Sequence, residues 1–225
     1  MKLTGTIYPI IIKLYKISPF KKQICLFLRN FNFFSKNKLH VDLKFKGESI
    51  VKIPNTNVRF TLNCWDSTIE NEIFWNGLGE TWEPETVDLW ISLCKKSKVI
   101  FDIGANTGIY SLIARSLNKD NEIIAFEPSD LVIDKLKKNI NDNNFDIRVV
   151  EKGVSNVTGD KIFYDVEASH QSSASLSPDK LKNFKSFTGQ IREYKIETIR
   201  LDKFIEESGL VPDLIKIDVE LHEPE

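Results

Sequence analysis

Residues 99–150 alternate between two kinds of pattern, and that alternation constrains the fold more than anything else in the chain. "VIFDI" (99–103), "EIIAF" (122–126) and "DIRVV" (146–150) are short apolar runs of strand length. Between them, Ile109, Leu112, Ile113 and Leu117 recur at helical spacing. So do Ile133, Leu136 and Ile140 after Asp130, which is placed to cap their helix. Strands that are apolar throughout, each followed by a helix, predict a doubly wound, mostly parallel sheet covered on both faces. "DLIKIDV" (213–219) reads as a fourth parallel strand. The expected order across the sheet is third, second, first, fourth. The sequence then stops at Glu225, so the sheet reads as cut short after its fourth strand.

The flanks follow other periods. Residues 7–35 mix apolar and aromatic residues with Lys, which fits short basic amphipathic helices interrupted by Pro9 and by Ser18-Pro19. "VDLKF" (41–45) and "VRFTLNC" (58–64) alternate with period two and predict a small antiparallel extension, turned at Pro54-Asn55 and Asn57. A helix is expected to start near Pro84. "KIFYDV" and "REYKIETIRL" read as strands around a Ser-rich loop, and Asp202 is placed to cap a short helix ending at Gly209. The expected organisation is a basic helical and β extension over residues 1–74 and a ligand-binding α/β domain over 75–225.

Charge is divided unevenly. Residues 1–46 hold ten Lys/Arg and one acid, a balance of +9, whereas the rest holds 21 basic and 31 acidic residues, a balance of −10. The basic arm is either a solvated face or a surface attracted to anionic lipid or polyanionic glycan, which would make the protein peripheral to a membrane. Cys25, Cys64 and Cys94 are odd in number and widely spaced, so neither a disulfide framework nor a zinc site is expected, and a reducing cytoplasm is the default location. The most apolar early run, "TIYPIIIKLYKI", is broken by Lys13 and Lys16 and is too short to span a bilayer.

Ligands of open parallel sheets bind at the carboxyl ends of the strands. At the end of the first strand stands Gly104-Ala105-Asn106-Thr107-Gly108, with two glycines that let the backbone turn sharply next to a helix N-terminus with free N–H groups. A dinucleotide pyrophosphate would use the same place, but the closely spaced second glycine is missing. Asp102, just before the loop, would repel a pyrophosphate and suits a cationic ligand. Glu127 ends the second strand, where an acid can accept both hydroxyls of an adenosine ribose.

"VIFDIGANTGIYSL", "IIAFEP", "EKGVSN", "IRLDKF" and "DLIKIDVE" together resemble the FkbM-type family of S-adenosylmethionine-dependent methyltransferases, over roughly residues 75–225. The resemblance implies a class I, Rossmann-like methyltransferase fold and S-adenosyl-L-methionine as cofactor. It implies methylation of a hydroxyl, often on a sugar, glycan or small metabolite. By position, Asp102, Gly104, Ala105, Asn106, Thr107 and Gly108 would hold the cofactor's methionine and adenosine parts, Glu127 its ribose, and Val154 and Ser155 its adenine.

A hydroxyl is a poor nucleophile until deprotonated, so a general base is useful. Asp218, Glu220, His222 and Glu223 at the end of the fourth strand are the candidates, with Asp218 or Glu220 favoured to face the site, and His170 in the Ser-rich loop is a candidate lid residue. Asp218 and Glu220 lack further metal ligands, so no metal is expected. Neither is a nucleic-acid partner; the expected partner is a small-molecule or glycan acceptor. Two other readings stand beside this one: a non-catalytic binding module of the same fold, and a nicotinamide-dependent oxidoreductase.

Overall fold

The structure, a computed structural model, describes residues 2–30, 35–65, 67–166 and 191–219. It divides into two compact units, residues 1–87 and 88–225.

In the first unit, α1 (Lys2–Ile17) and α2 (Lys21–Arg29) break at Ser18-Pro19 as the sequence predicts. Pro9, however, lies inside α1 without ending it. α3 (Lys36–Asp42) is followed by the hairpin of β1 (Lys46–Lys52) and β2 (Arg59–Trp65), antiparallel with Val51 opposite Phe60. The turn between them uses Asn55 at φ +55°, a left-handed conformation that Asn tolerates. The first strand therefore lies later than "VDLKF". The reason is in α4 (Thr68–Asn76), whose polar side chains hold residues 40–45 by their backbone. Asn71 donates to the His40 carbonyl and accepts from the Phe45 N–H, and the Trp75 indole donates to the Leu43 carbonyl. Leu43 and Phe45 are thereby buried plugs, with Phe45 stacked on Phe74 at 3.8 Å. Because α4 packs on α3 and β2, the first unit extends beyond the expected boundary at residue 74.

α5 (Pro84–Cys94) starts at the predicted proline and leads into the second unit. There β3 (Val99–Ile103), α6 (Ile109–Leu117), β4 (Glu122–Phe126), α7 (Asp130–Asp142) and β5 (Arg148–Val150) alternate as the apolar pattern requires. The short β6 (Gly153–Val154) is followed by two longer strands, β7 (Gly159–Val166) and β8 (Ile191–Ile199). Then come α8 (Leu201–Ser208) and β9 (Leu214–Ile217). The main sheet is parallel in the order β5-β4-β3-β9, the predicted order. β6, β8 and β7 form a separate sheet in which β6 runs parallel to β8, a pairing the sequence does not announce.

Alternation along β3 sends successive side chains to opposite faces. Phe101 meets Phe126 and the Phe204 ring of α8 edge-on, with centroids 5.6 Å, 5.6 Å and 5.0 Å apart around the triad. Asp102 points to the other face, where α6 lies and bonds it through Ser111. Two predicted caps shift by a residue or two. Ser129 occupies the N-cap of α7 and Arg200 that of α8, so Asp130 and Asp202 are inside their helices. Asp130 instead receives both nitrogens of Arg192 from β8, at 3.0 and 2.9 Å.

Candidate active site

The candidate site lies within the second unit, at the carboxyl ends of β3, β4 and β9. The β3–α6 loop makes three turns that ordinary residues resist: Gly104 at φ +76°, Asn106 at +51° and Gly108 at +89°. Two of these are also close approaches. A Cβ at Gly104 would stand 2.0 Å from the Asp218 carbonyl oxygen, and one at Gly108 would stand 2.5 Å from Leu136 of α7. The glycines thus let the loop touch the end of β9 on one side and α7 on the other. Asn139 of α7, wholly buried, donates to the Thr107 carbonyl at 2.7 Å and fixes the loop from beneath.

The loop's own amides are spoken for. Gly104 and Ala105 N–H donate to the Phe126 carbonyl, and Gly108 N–H to the Ala105 carbonyl. Asn106 N–H donates to Glu127 Oε2 at 2.8 Å, and Thr107 N–H to the Asn106 side chain at 2.8 Å. A pyrophosphate cradle is built from backbone N–H groups that aim at the ligand. This loop directs its own amides inward; the N–H groups expected to face a ligand belong to the first turn of α6, beyond the loop. The carboxyl end of the sheet offers acids instead.

Glu127 is buried and oriented by two backbone bonds, from Asn106 and from Ser129 at 2.9 Å. A carboxylate has about four lone-pair sites, so these bonds are compatible with accepting a diol. Asp102 is 0 % exposed, and its Oδ2 accepts the Ser111 hydroxyl at 2.6 Å. Its Oδ1 has no hydrogen bond, and the Lys216 ammonium stands 3.8 Å away. Burial raises the Asp102 carboxyl above its ordinary range, Lys216 and Ser111 pull it back, and Asp218 adds a smaller upward push. Lys216 also lies 3.3 Å from Asp218 and 4.7 Å from the centre of the Tyr110 ring. One lysine thus ties together an acid on β3 and an acid at the end of β9.

The structure therefore brings together Asp102, the 104–108 loop, Glu127 and Asp218. Val154 and Ser155 are placed differently. Val154 packs against the Phe101–Phe126–Phe204 cluster, and Ser155 is buried, donating its N–H to the Ile199 carbonyl and accepting from Lys161 at 2.7 Å. Glu220, His222, Glu223 and His170 lie outside the described residues. Among the described residues no group of three His, Cys, Asp or Glu is arranged to hold a metal ion.

Sequence reasoning missed Lys216 and Asn139, and both left a signal. Lys216 is opposite Asp102 in the β3–β9 register and two residues before Asp218, on the same strand face. Asn139 is a polar residue inside the apolar stripe Leu136–Ile140.

The model of the methyltransferase FkbM domain matches residues 102–224, more than half of the chain. The chain belongs to the FkbM methyltransferase family. That membership carries the Rossmann-like methyltransferase fold and implies S-adenosylmethionine as cofactor. Among solved structures, the chain is similar to an S-adenosylmethionine-dependent methyltransferase from Agrobacterium tumefaciens at 15% identity and a TM-score of 0.33. The match covers 48% of this chain and 33% of that one, so this chain spans about a third of that protein's length. No curated protein matches the chain.

Proposed function

We propose that this chain binds S-adenosylmethionine at the carboxyl ends of β3 and β4 and methylates a hydroxyl on a sugar, glycan or small metabolite. The observation that carries this reading is the closed β3–α6 loop beside buried Glu127: its amides are already bonded, and the carboxylates of Asp102, Glu127 and Asp218 outnumber the one cation among them, Lys216. Such a site favours a ligand with positive charge and a ribose diol over a pyrophosphate. It therefore also weighs against a nicotinamide-dependent oxidoreductase.

The residues fit the cofactor in distinct ways. Glu127, fixed by Asn106 and Ser129, is oriented to accept ribose hydroxyls, and the glycines admit the ligand close to the backbone. Asp102 is too deeply buried to serve as an open anion. It holds Ser111 of α6 and Lys216 of β9, and so fixes the floor of the loop. The bound cofactor supplies an electrophilic methyl group on its sulfonium. An acceptor hydroxyl must be held in line with it and relieved of its proton. Asp218 is suited to taking that proton, because its carboxylate is half exposed, at 49 %, on the residue whose backbone touches Gly104. Glu220, His222 and Glu223 remain further candidates for the base. Three buried, free cysteines suit a reducing compartment, and this reading places the protein in the cytoplasm.

The test uses labelled S-adenosylmethionine and a panel of sugars, glycans and hydroxylated metabolites. Asp218→Asn should keep cofactor binding within a few-fold while slowing methyl transfer by about 10²–10⁴. Cofactor binding with no methyl transfer to any hydroxyl acceptor would instead favour the non-catalytic module.

A further inference from the structure

α1 is apolar on two sides, and only one of them faces protein. Tyr8, Ile11, Ile12 and Tyr15 pack against the first unit's core, which contains Cys25, Leu28, Leu39, Leu43 and Phe74. Tyr8 is tied further by its hydroxyl to Asp42 and Tyr15 by its hydroxyl to the Lys44 carbonyl. Ile7, Ile10, Leu14 and Ile17 form a second stripe at spacings of three and four residues, 42, 54, 54 and 75 % exposed. Such spacing keeps them on one face, and ten residues of helix make the stripe about 15 Å long. Phe20, 62 % exposed, adds a ring three residues beyond it. Five large apolar side chains that are 42–75 % exposed within residues 7–20 are not the scattered exposure of an ordinary surface.

The charge around the stripe says what would cover it. Lys13 and Lys16 each stand one residue, about 100° of helix, from Leu14 and Ile17, and both are exposed. Residues 2–30 contain no Asp or Glu at all. A second copy of the chain would bring the same cations against these, and a glycan would leave the isoleucines in water. A bilayer with anionic headgroups satisfies both features, because apolar side chains enter the acyl boundary while lysines stay at phosphate level. Among the described residues no helix is long and apolar enough to cross a membrane, so the contact would lie on the surface.

We infer that the Ile7–Ile10–Leu14–Ile17 face of α1, with Phe20 and the flanking Lys13 and Lys16, docks the protein on an anionic lipid bilayer. Docking would tether the second unit's chemistry to that surface.

Flotation of the full chain with phosphatidylcholine vesicles, with and without phosphatidylglycerol, tests this. The unaltered chain should float with the anionic vesicles, stay down with the neutral ones, and be released in about 1 M salt, where the screening length is ~3 Å. Ile10→Gln with Leu14→Gln and Ile17→Gln should lower the floated fraction at least about tenfold, as should Lys13→Gln with Lys16→Gln to a smaller degree. Both variants keep the buried side of α1, and their circular dichroism and S-adenosylmethionine binding should match the unaltered chain. The inference is overturned if the unaltered chain does not float or if the Gln variants float equally. It is also overturned if the chain self-associates in solution through residues that the apolar variant removes, which would assign the stripe to a second copy. None of these outcomes depends on the methyltransferase reading, whose own readout is cofactor binding.

Discussion

At the residue scale the site rests on a few positions with no tolerance. Gly104→Ala puts a methyl group 2.0 Å from the Asp218 carbonyl and forces alanine to φ +76°. The backbone strain alone is worth about 1–3 kcal/mol. The variant should lose cofactor binding and lower the stability of the second unit, measured by calorimetric titration and by hydrogen exchange. Lys216 is the residue that the electrostatics single out. Burial makes the Asp102 carboxyl harder to ionise in the folded chain than in the unfolded one. Its contribution to stability is thus fully present below the ordinary Asp value of 3.8 and is lost as pH rises through the higher folded value. Because Lys216 pulls that folded value down, Lys216→Met should push it higher, making the loss on raising pH larger and extending it to higher pH. Lys216→Arg should largely restore the original profile. Urea midpoints of the second unit from about pH 4 to about pH 8, read by hydrogen exchange, check this; identical profiles for all three proteins would refute the role. Asp102 and Glu127 stood out as candidates because an acid at a strand's end contrasts with an apolar run. Lys216 was hidden because its role depends on the register between β3 and β9, whose starts are joined across 115 residues of sequence by Asp213 and the Lys98 N–H.

At the element scale, strands and helices buried through their length were legible, and segments whose structure depends on partners were not. β3, β4, α6 and α7 follow directly from apolar periodicity. "VDLKF" alternates like a strand but is held as a plug by Asn71 and Trp75, partners that lie some thirty residues later. Pro9 reads as a helix breaker, yet α1 runs through it. The covered face of α1 packs on the core, and burial of that face outweighs one missing N–H. The sheet's α8 face is closed by the Phe101–Phe126–Phe204 rings. Phe204→Ala should cost about 3–5 kcal/mol, because Phe204 is buried and its loss leaves a cavity against both other rings. Chemical denaturation of the second unit checks that figure. Asn139→Leu keeps the volume of α7's stripe but leaves the Thr107 carbonyl without its donor. It should weaken cofactor binding more than it lowers helix content, measured by titration and circular dichroism.

At the scale of the whole molecule, the two units share a preference for burying their thiols. Cys25 and Cys64 lie in the first unit and Cys94 in the second, all free and buried. Burial pushes Cys25 up to about 12 and the other two higher still. A thiol reagent should therefore react slowly with the native chain and rapidly with all three cysteines in denaturant. Fast native labelling of any one would show that its unit is open. The basic arm and the acidic remainder already separate in composition. The exposed stripe of α1 was not legible there, because a sequence does not say which of two apolar helix faces will be covered.

The central claim is that Glu127 and the closed β3–α6 loop form an S-adenosylmethionine site. Isothermal titration of S-adenosylmethionine into the unaltered chain and into Glu127→Ala tests it most directly. Each hydrogen bond to a charged group is worth roughly 1.5–3 kcal/mol. The account predicts saturable binding to the unaltered chain, weakened at least about tenfold in the variant. Equal affinity in the two proteins, or no binding to either, would contradict it.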